Sequence, residues 1–379
     1  MSSQRFQAAT DAVWKVAIVT NRKDAAVPVG INEDRRPVGS LLQQTRELSL
    51  QNPDSTYAFC DVRVSSKRAR GTCSLDRQAS GGLAVGELQV SSRDRFLHEL
   101  QELQATPLDV LVFVHGFNVK LDHAIARAAQ LAEDLPFHGT IIAFSWQSQG
   151  GTEAYRSDER TAERYFWNLA KLLYDLKTEL PDSRLHVLAH SMGNRVTLRA
   201  INALCGTIDP MGNRDLYALR SLSDLSGGGS DRQTDPPVFQ SVVRSTVGEI
   251  KQRYPEWGAW RASSTPQPAI DNLIMAAPDV GVSQYQAWIA GLKHTCGNMV
   301  LYASDTDFAL EGSRLINGQG FRAGDSRASM KIPGLTTIRV TGVTATDRLG
   351  HSFYGSRPVI LDQLAFLMNG PQNRSLQLP

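Results

Sequence analysis

A series of short, almost entirely apolar runs is the feature that most constrains the fold of this chain. The first, Asp109–Val114 (DVLVFV), shows no alternation of polar and apolar residues, as expected for a strand covered on both faces. Similar runs recur downstream at 140–144, 184–188, 272–275, 299–303 and 337–343. Strands of this kind separated by helices predict an α/β fold, with a mostly parallel central sheet and helices on both faces.

Helical periodicity appears between these runs. Apolar residues three or four apart form one stripe over 161–180, which predicts an amphipathic helix. A second helix is expected directly after Ser191. A last one is expected from Pro358 to Met368, because proline suits a first helical turn and Gly370 suits a helix end.

The length of the chain leaves room for more than this sheet. Its 379 residues, 41% of them hydrophobic, allow one large domain or two. Residues 1–105 are β-rich, with strands predicted at 14–20 and 57–64, and are interpreted as an extension of the same sheet. Residues 206–267 are interpreted as a helical insertion with a flexible loop at 221–237 (SLSDLSGGGSDRQTDPP). We therefore predict a single domain over 1–379.

Charge and cysteine content exclude several classes of protein. With 40 Lys+Arg against 38 Asp+Glu the net charge is +2, which argues against a dedicated nucleic-acid binder. No apolar run reaches the roughly 18–20 residues of a membrane helix, and the four dispersed cysteines form no metal-ligand pattern. We expect a cytoplasmic protein without a membrane span. Its basic cluster, interpreted as a solvated hairpin tip, comprises Arg63, Lys67, Arg68 and Arg70.

The strongest functional signal lies where a strand runs into a helix, at Leu185–Val196 (LHVLAHSMGNRV). The pentapeptide around Ser191 matches the G-x-S-x-G nucleophile elbow, with Ala189 in place of the first glycine. Such a turn holds its serine in a strained backbone conformation, so the residues two positions away, Ala189 and Gly193, must be small. The motif predicts that Ser191 is the nucleophile of a hydrolase.

A second signal follows the strand at 109–114, in the sequence Phe113–Asn118 (FVHGFN). A serine that attacks a carbonyl needs backbone N–H donors where the oxyanion develops. The amides of Phe117 and Met192 are the predicted donors. His115 is interpreted as a structural histidine that braces this loop, and His190, beside the serine, as a residue that packs or lines the pocket.

The general base and the orienting acid are expected in loops that follow later strands. His351, in Leu349–Tyr354, comes after the last predicted strand, where the order Ser, acid, His requires the base. Asp307, after the run 299–303, is the preferred acid. Asp279, after the preceding run, is the alternative acid, and Asp305 is a further one.

With these motifs the chain resembles an α/β-hydrolase and, more narrowly, a little-characterised bacterial family of that superfamily whose function is unknown. The resemblance implies that Ser191, Asp307 and His351 form the catalytic triad, but it implies no substrate. Alanine at 189 departs from the wider superfamily and agrees with this family. The matching segments are 20–22, 113–118, 144–146, Tyr155 with Asp158, 189–194, 277–279, 302–310 and 350–354.

The predicted reaction is acyl transfer from a carboxylic ester to Ser191, followed by hydrolysis, with no metal or organic cofactor. An acyltransferase, thioesterase, lactonase or amidase would use the same residues, and a non-catalytic hydrolase-like binding module is the alternative from another class. An apolar, aromatic lining favours a small acyl or aryl ester, although packing in the core is the alternative for each aromatic residue. The expected substrate-binding residues are Phe117, Asn118, Trp146, Tyr155, Met192, Phe308 and Phe353.

The insertion at 206–267 should emerge at the end of the sheet opposite this site, because it follows the helix after Ser191 and precedes the next strand. We therefore interpret it as an element for self-association or for binding a protein partner, and not as a lid.

Overall fold

The structure is a computed structural model. It describes residues 10–22, 55–76, 78, 80–103, 109–137, 139–149, 151–207, 255–256, 258–260, 268–318, 320–341 and 349–370. The loop predicted at 221–237, the helix within the insertion and most of the insertion's other residues lie outside these ranges.

A single sheet organises the described residues. Its strand order is β3-β2-β1-β5-β4-β6-β7-β8-β9. The seven strands from β1 to β9 in this spatial order are all parallel to their neighbours, whereas β2 is antiparallel to both β1 and β3. The strands are β1 (Ala12–Thr20), β2 (Thr56–Val64), β3 (Leu83–Ser91), β4 (Asp109–Val114), β5 (Gly139–Ser145), β6 (Leu185–His190), β7 (Ile270–Ala276), β8 (Cys296–Ser304) and β9 (Leu335–Val340).

Helices cover both faces of this sheet. Along β4, Val110, Val112 and Val114 face one apolar cluster, while Leu111 and Phe113 face the other. The mostly parallel α/β architecture predicted from the sequence is confirmed. The helices are α1 (Arg93–Glu102), α2 (Leu121–Asp134), α3 (Tyr155–Arg164), α4 (Phe166–Glu179), α5 (Gly193–Leu204), α6 (Val282–Ala290), α7 (Phe308–Asn317), α8 (Phe353–Ser356) and α9 (Pro358–Asn369).

The helix predicted over 161–180 is two helices. The chain turns at Tyr165 (φ −98°, ψ 9°), between α3 and α4. The two helices are held differently: α4 buries its apolar stripe in the core, whereas α3 is tied to α5 by the ion pairs of Arg195 with Glu159 and Glu163. A stripe of apolar residues continues across the turn, so periodicity alone does not reveal it.

The N-terminal strands join the same sheet, but sequence patterns did not predict β3 or α1. Gly86 lies inside β3 and weakens its strand pattern. The structure shows why a glycine stands there: β2 has a register irregularity between Cys60 and Val62, and a Cβ on Gly86 would lie 2.7 Å from the Asp61 carbonyl oxygen. The bulge therefore requires the residue that obscures the strand.

The interpretation of the basic cluster as a solvated tip is wrong for Arg68. Its guanidinium forms a paired contact with Asp134 at the end of α2, and both side chains are 3% exposed. The Gly71 amide donates to the same carboxylate at 2.8 Å. A buried guanidinium needs a partner of opposite charge, and the hairpin supplies it by packing onto α2 rather than pointing into solvent.

The seven parallel strands end at one edge of the sheet, so the loops that follow them meet there. This edge holds the candidate site. Among the described helices, none is both long enough and apolar enough to cross a membrane.

Candidate active site

Ser191 occupies the sharp turn between β6 and α5. Its backbone is left-handed, with φ of 54°, a conformation that side chains rarely adopt and that marks functional turns. Gly193 is required two residues on, because a Cβ there would lie 2.4 Å from the His115 carbonyl oxygen. The side-chain amide of Asn194 donates to the carbonyls of Ala189, Ser191 and Ala276, which fixes the turn from beneath.

The loop after β4 lies directly against this turn. A Cβ on Gly116 would be 2.8 Å from the Ser191 Cβ and 3.0 Å from the His190 Nδ1, so only glycine permits this approach. Within the described part of the chain, neither the Phe117 nor the Met192 amide donates to another protein group. Both predicted oxyanion donors therefore lie in the segments that meet at Ser191, with their N–H groups available.

His115 braces this loop. Its imidazole stacks on Trp146 with ring centroids 5.3 Å apart, and the Trp146 indole N–H donates to the His115 carbonyl at 2.8 Å. Its Nε2 lies 3.1 Å from the Ser145 hydroxyl and 3.4 Å from a guanidinium nitrogen of Arg22. Burial and the Arg22 charge lower the pKa of His115 to about 3, so the ring is neutral near pH 7. These contacts agree with the structural role predicted for it.

The other side of the loop is held by a buried carboxylate. Asn118 has a φ of 56°, and its amide donates to the Ser148 hydroxyl at 2.9 Å. Ser148 donates in turn to Asp158 at 2.5 Å. Desolvation raises the pKa of Asp158. Arg22 holds the far end of the loop, because it donates to the Val119 carbonyl at 2.5 Å.

Asp307 and His351 come together beside the turn. Asp307 is the N-cap of α7: its Oδ1 accepts from the Ala309 and Leu310 amides at 3.1 Å each. Its Oδ2 lies 2.6 Å from His351 Nδ1. The helix cap therefore sets the rotamer of the carboxylate, and the second oxygen remains for the imidazole.

His190 packs on His351. Their ring centroids are 4.5 Å apart, and His190 Nε2 lies 3.1 Å from the His351 carbonyl oxygen. The Tyr354 ring covers His190 from another side, at 4.6 Å. Burial, followed by the neighbouring His351, lowers the pKa of His190 well below its ordinary value. His190 is thus a neutral packing partner for the loop that carries His351.

Asp279, the alternative acid, is engaged elsewhere. Its Oδ2 accepts from the Tyr155 hydroxyl at 2.7 Å, and its Oδ1 accepts from Ser313 at 2.5 Å and lies 3.2 Å from Arg322 Nε. The carboxylate is buried among these donors. Of the three aspartates weighed as the acid, Asp307 is the one that the structure shows in hydrogen-bond contact with His351.

The aromatic residues expected to line a pocket fall into different environments. Trp146 and Phe353 are fully buried and pack in the two apolar clusters, so their side chains belong to the core. Phe117 is partly buried and meets Tyr155 edge-on at 5.3 Å, while Met192 is buried beneath the turn. Phe308, directly after Asp307, is 66% exposed.

Sequence patterns missed several of the supporting residues. The segments that match the family include Arg22, Asp158 and Asn194. The sequence did not indicate, however, which groups these side chains would contact. Arg322 carried no signal at all, since it lies in a loop far from any motif. In the part of the chain that the structure describes, no group of three or more His, Cys, Asp and Glu side chains is arranged to hold a metal ion.

Comparison with known proteins supports the fold assignment. Residues 91–367 match the family described as "Alpha/beta hydrolase of unknown function (DUF900)", which confirms the resemblance inferred from the motifs. An uncharacterized protein of Nostoc sp., alr1448, is 21% identical over 309 residues, which cover 69% of this chain and 73% of that protein.

Solved structures are similar at low identity. The catalytic core domain of acetyl xylan esterase from Trichoderma reesei is 13% identical over 70% of this chain and 98% of its own, with a TM-score of 0.33. TT1662 from Thermus thermophilus is 10% identical over 83% of this chain and 95% of its own, also at 0.33.

Proposed function

We propose that this chain, which belongs to the family of α/β hydrolases of unknown function, is a serine hydrolase that cleaves carboxylic esters through an acyl-enzyme on Ser191. One observation supports the proposal most. A serine with left-handed backbone lies beside two available amides, while the Asp307–His351 pair reaches the same edge of the sheet. The nucleophile, the Phe117 amide, the acid and the base would thereby come from four different loops, and the Met192 amide from the elbow itself.

In the proposed mechanism His351 acts as the general base. Asp307 accepts a hydrogen bond from Nδ1, which leaves Nε2 unprotonated and ready to take the Ser191 proton. The serine oxygen attacks the ester carbonyl, and the Phe117 and Met192 amides donate to the developing oxyanion. His351 then protonates the leaving alcohol.

The second half of the reaction repeats these steps with water. His351 removes a proton from water, the resulting hydroxide attacks the acyl-enzyme, and Ser191 is released with its proton restored. The neighbouring histidines do not compete for protons, because burial lowers the pKa values of both His115 and His190. No step needs a group beyond the side chains and amides already named.

The same machinery serves several acyl donors, and therefore thioesters, lactones and amides belong in the test. Acyl transfer to an acceptor other than water is a further outcome, as is a binding module without turnover. We place carboxylic esters first because an exposed Phe308 and a partly buried Phe117 flank the proposed triad with apolar surface, which suits an uncharged acyl or aryl group.

A fluorophosphonate probe tests the proposal directly. The wild-type protein should be labelled, and it should hydrolyse p-nitrophenyl esters, short chains before long ones. Ser191→Ala should remove the labelling and lower kcat by about 10⁴-fold or more. Ser66→Ala changes an exposed serine at the opposite edge of the sheet and is the matched control. Absence of labelling, or full activity in Ser191→Ala, contradicts the assignment.

A further inference from the structure

Asp279 lies at the centre of a buried polar cluster that the proposed mechanism does not use. The cluster consists of Tyr155, Asp279, Ser313 and Arg322, each of them at most 5% exposed. Besides the contacts of the carboxylate, the Tyr155 and Ser313 hydroxyls lie 2.8 Å apart and Arg322 Nε donates to Ser313 at 2.9 Å. Every member is therefore bonded to at least one other, which makes the cluster rigid.

The cluster contacts the elbow through the main chain of Asp279. Its amide donates to the Ser191 carbonyl at 3.2 Å. Its carbonyl accepts from Arg195 Nε at 2.9 Å. Because Arg195 lies in the first turn of α5, both the serine and the helix that follows it are linked to Asp279.

The carboxylate of Asp279 reaches the two other parts of the site. Through Ser313 it is bonded to α7, the helix whose N-cap is Asp307. It also accepts a hydrogen bond from Tyr155, whose ring packs edge-on against Phe117, in the loop of one proposed oxyanion donor. One buried residue, Asp279, thus links three segments that are distant in sequence.

We propose that Asp279 is a positioning residue that holds the elbow, the oxyanion loop and the acid-bearing helix in mutual register. This inference rests on the proposed function. The Ser313 contact sets the position of Asp307, and hence of His351. The Tyr155 contact sets the position of the Phe117 amide. Displacements of about 1 Å in such groups are enough to slow an enzyme strongly.

The test changes Ser313 and Tyr155 and leaves Asp279 in place. Asp279→Asn would leave the buried Arg322 without its charged partner and is expected to impair folding. Ser313→Ala and Tyr155→Phe each remove one hydroxyl and keep the side-chain shape. Each should lower kcat for p-nitrophenyl acetate by about tenfold, with KM unchanged, because a misplaced reacting group slows the chemical step without weakening substrate binding. Ser329→Ala, an exposed serine outside the cluster, is the matched control.

Coupling to Asp307 distinguishes positioning from simple stabilisation. In an Asp307→Asn background, Ser313→Ala should cost less than about twofold in kcat, because the acid that it positions is already lost. Tyr155→Phe should keep the larger part of its cost in that background, because it acts mainly on the oxyanion loop and only secondarily on α7 through Ser313. Circular dichroism and thermal unfolding establish that every variant is folded at the assay temperature.

Three results overturn the proposal. The first is a wild-type kcat in both single variants, and the second is a loss in Ser313→Ala that is equally large with and without Asp307. The third is a loss that disappears when the assay temperature is lowered further below the unfolding transition. If the wild-type protein reacts with neither the ester nor the fluorophosphonate probe, the proposed function is wrong and this inference fails with it. A reactive wild type with unaffected variants removes only the inference.

Discussion

At the scale of single residues, burial determines which histidines of the site stay neutral near pH 7. The pKa of His115 is lowered to about 3, mainly by burial and then by Arg22. Burial and His351 lower that of His190. Both rings therefore act near pH 7 as neutral hydrogen-bonding groups. His351 retains 14% exposure of its side chain and faces Asp307, so it is the histidine placed to exchange protons in the proposed reaction.

These buried histidines make stability depend on pH. Below the usual pKa of 6.5 the unfolded chain takes up a proton at residue 115, whereas the folded protein does not until about pH 3. The free energy of unfolding therefore falls as the pH falls, by about 2 kcal/mol for this residue between pH 7 and pH 5. Urea unfolding of His115→Gln should show a decline that is smaller by that amount.

The exposed His98, changed to glutamine in the same way, controls for the substitution itself. An equal loss of stability between pH 7 and pH 5 in the wild type and in His115→Gln contradicts this prediction.

At the scale of elements, the site is made by two turns that approach more closely than side chains normally allow. The loop after β4 needs glycine at 116 because of Ser191 and His190, and the start of α5 needs glycine at 193 because of the loop. The site is thus formed where β4 ends and where α5 begins, and not on the faces of the strand or the helix. The requirement is reciprocal, since each turn occupies the space that a Cβ on the other would need.

Gly116→Ala tests this close approach. The added methyl group should push the loop away from the elbow and misplace the Phe117 amide, which we expect to lower kcat by about 10²-fold, the usual cost of losing one oxyanion donor. Ester hydrolysis and thermal unfolding should be measured together, because a large loss of activity in a folded protein is the expected result.

Gly312→Ala is the matched control for that change. Gly312 lies within α7, and a Cβ there meets no atom within 4 Å. Alanine should leave activity unchanged and stabilise the helix by up to about 1 kcal/mol. Unimpaired hydrolysis in Gly116→Ala would mean that the loop does not supply the donor.

At the scale of the whole molecule, the N-terminal strands are connected to the loop that carries His351. Asp134, which binds Arg68 and the Gly71 amide, also accepts from Gln130, and Gln130 donates to the Gly355 carbonyl in α8. Gly71 packs so closely that a Cβ would lie 2.4 Å from the Ser356 carbonyl oxygen. The N-terminal segment is therefore part of the framework that supports the site.

Asp134→Asn tests this connection, because it leaves the buried Arg68 without its charged partner. The expected loss is about 3–5 kcal/mol in the free energy of unfolding, measured by urea denaturation. Asp94→Asn breaks a pair whose carboxylate is 90% exposed and should cost less than about 1 kcal/mol. Equal effects from the two substitutions contradict a structural role for the N-terminal hairpin.

The sequence by itself determined the α/β class and the positions of most parallel strands along the chain, because buried strands leave continuous apolar runs. It also singled out Ser191, Asp307 and His351 as candidates, since a strained turn restricts its neighbours to small residues and the chain order restricts the base to a late loop. The break at Tyr165, strand β3 and the burial of Arg68 escaped detection, because each depends on a partner distant in sequence.

Only the tertiary structure distinguishes the surroundings of Asp279 from those of Asp307. Asp279 and Asp307 both follow parallel strands, so sequence places them at the same edge of the sheet. The difference lies in which groups surround each carboxylate. Arg322, Ser313 and Tyr155 come from other segments and surround Asp279, whereas the N-terminus of α7 turns Asp307 towards His351. Hydrogen bonds between distant segments leave no local sequence pattern, and therefore only the folded chain shows which carboxylate contacts His351.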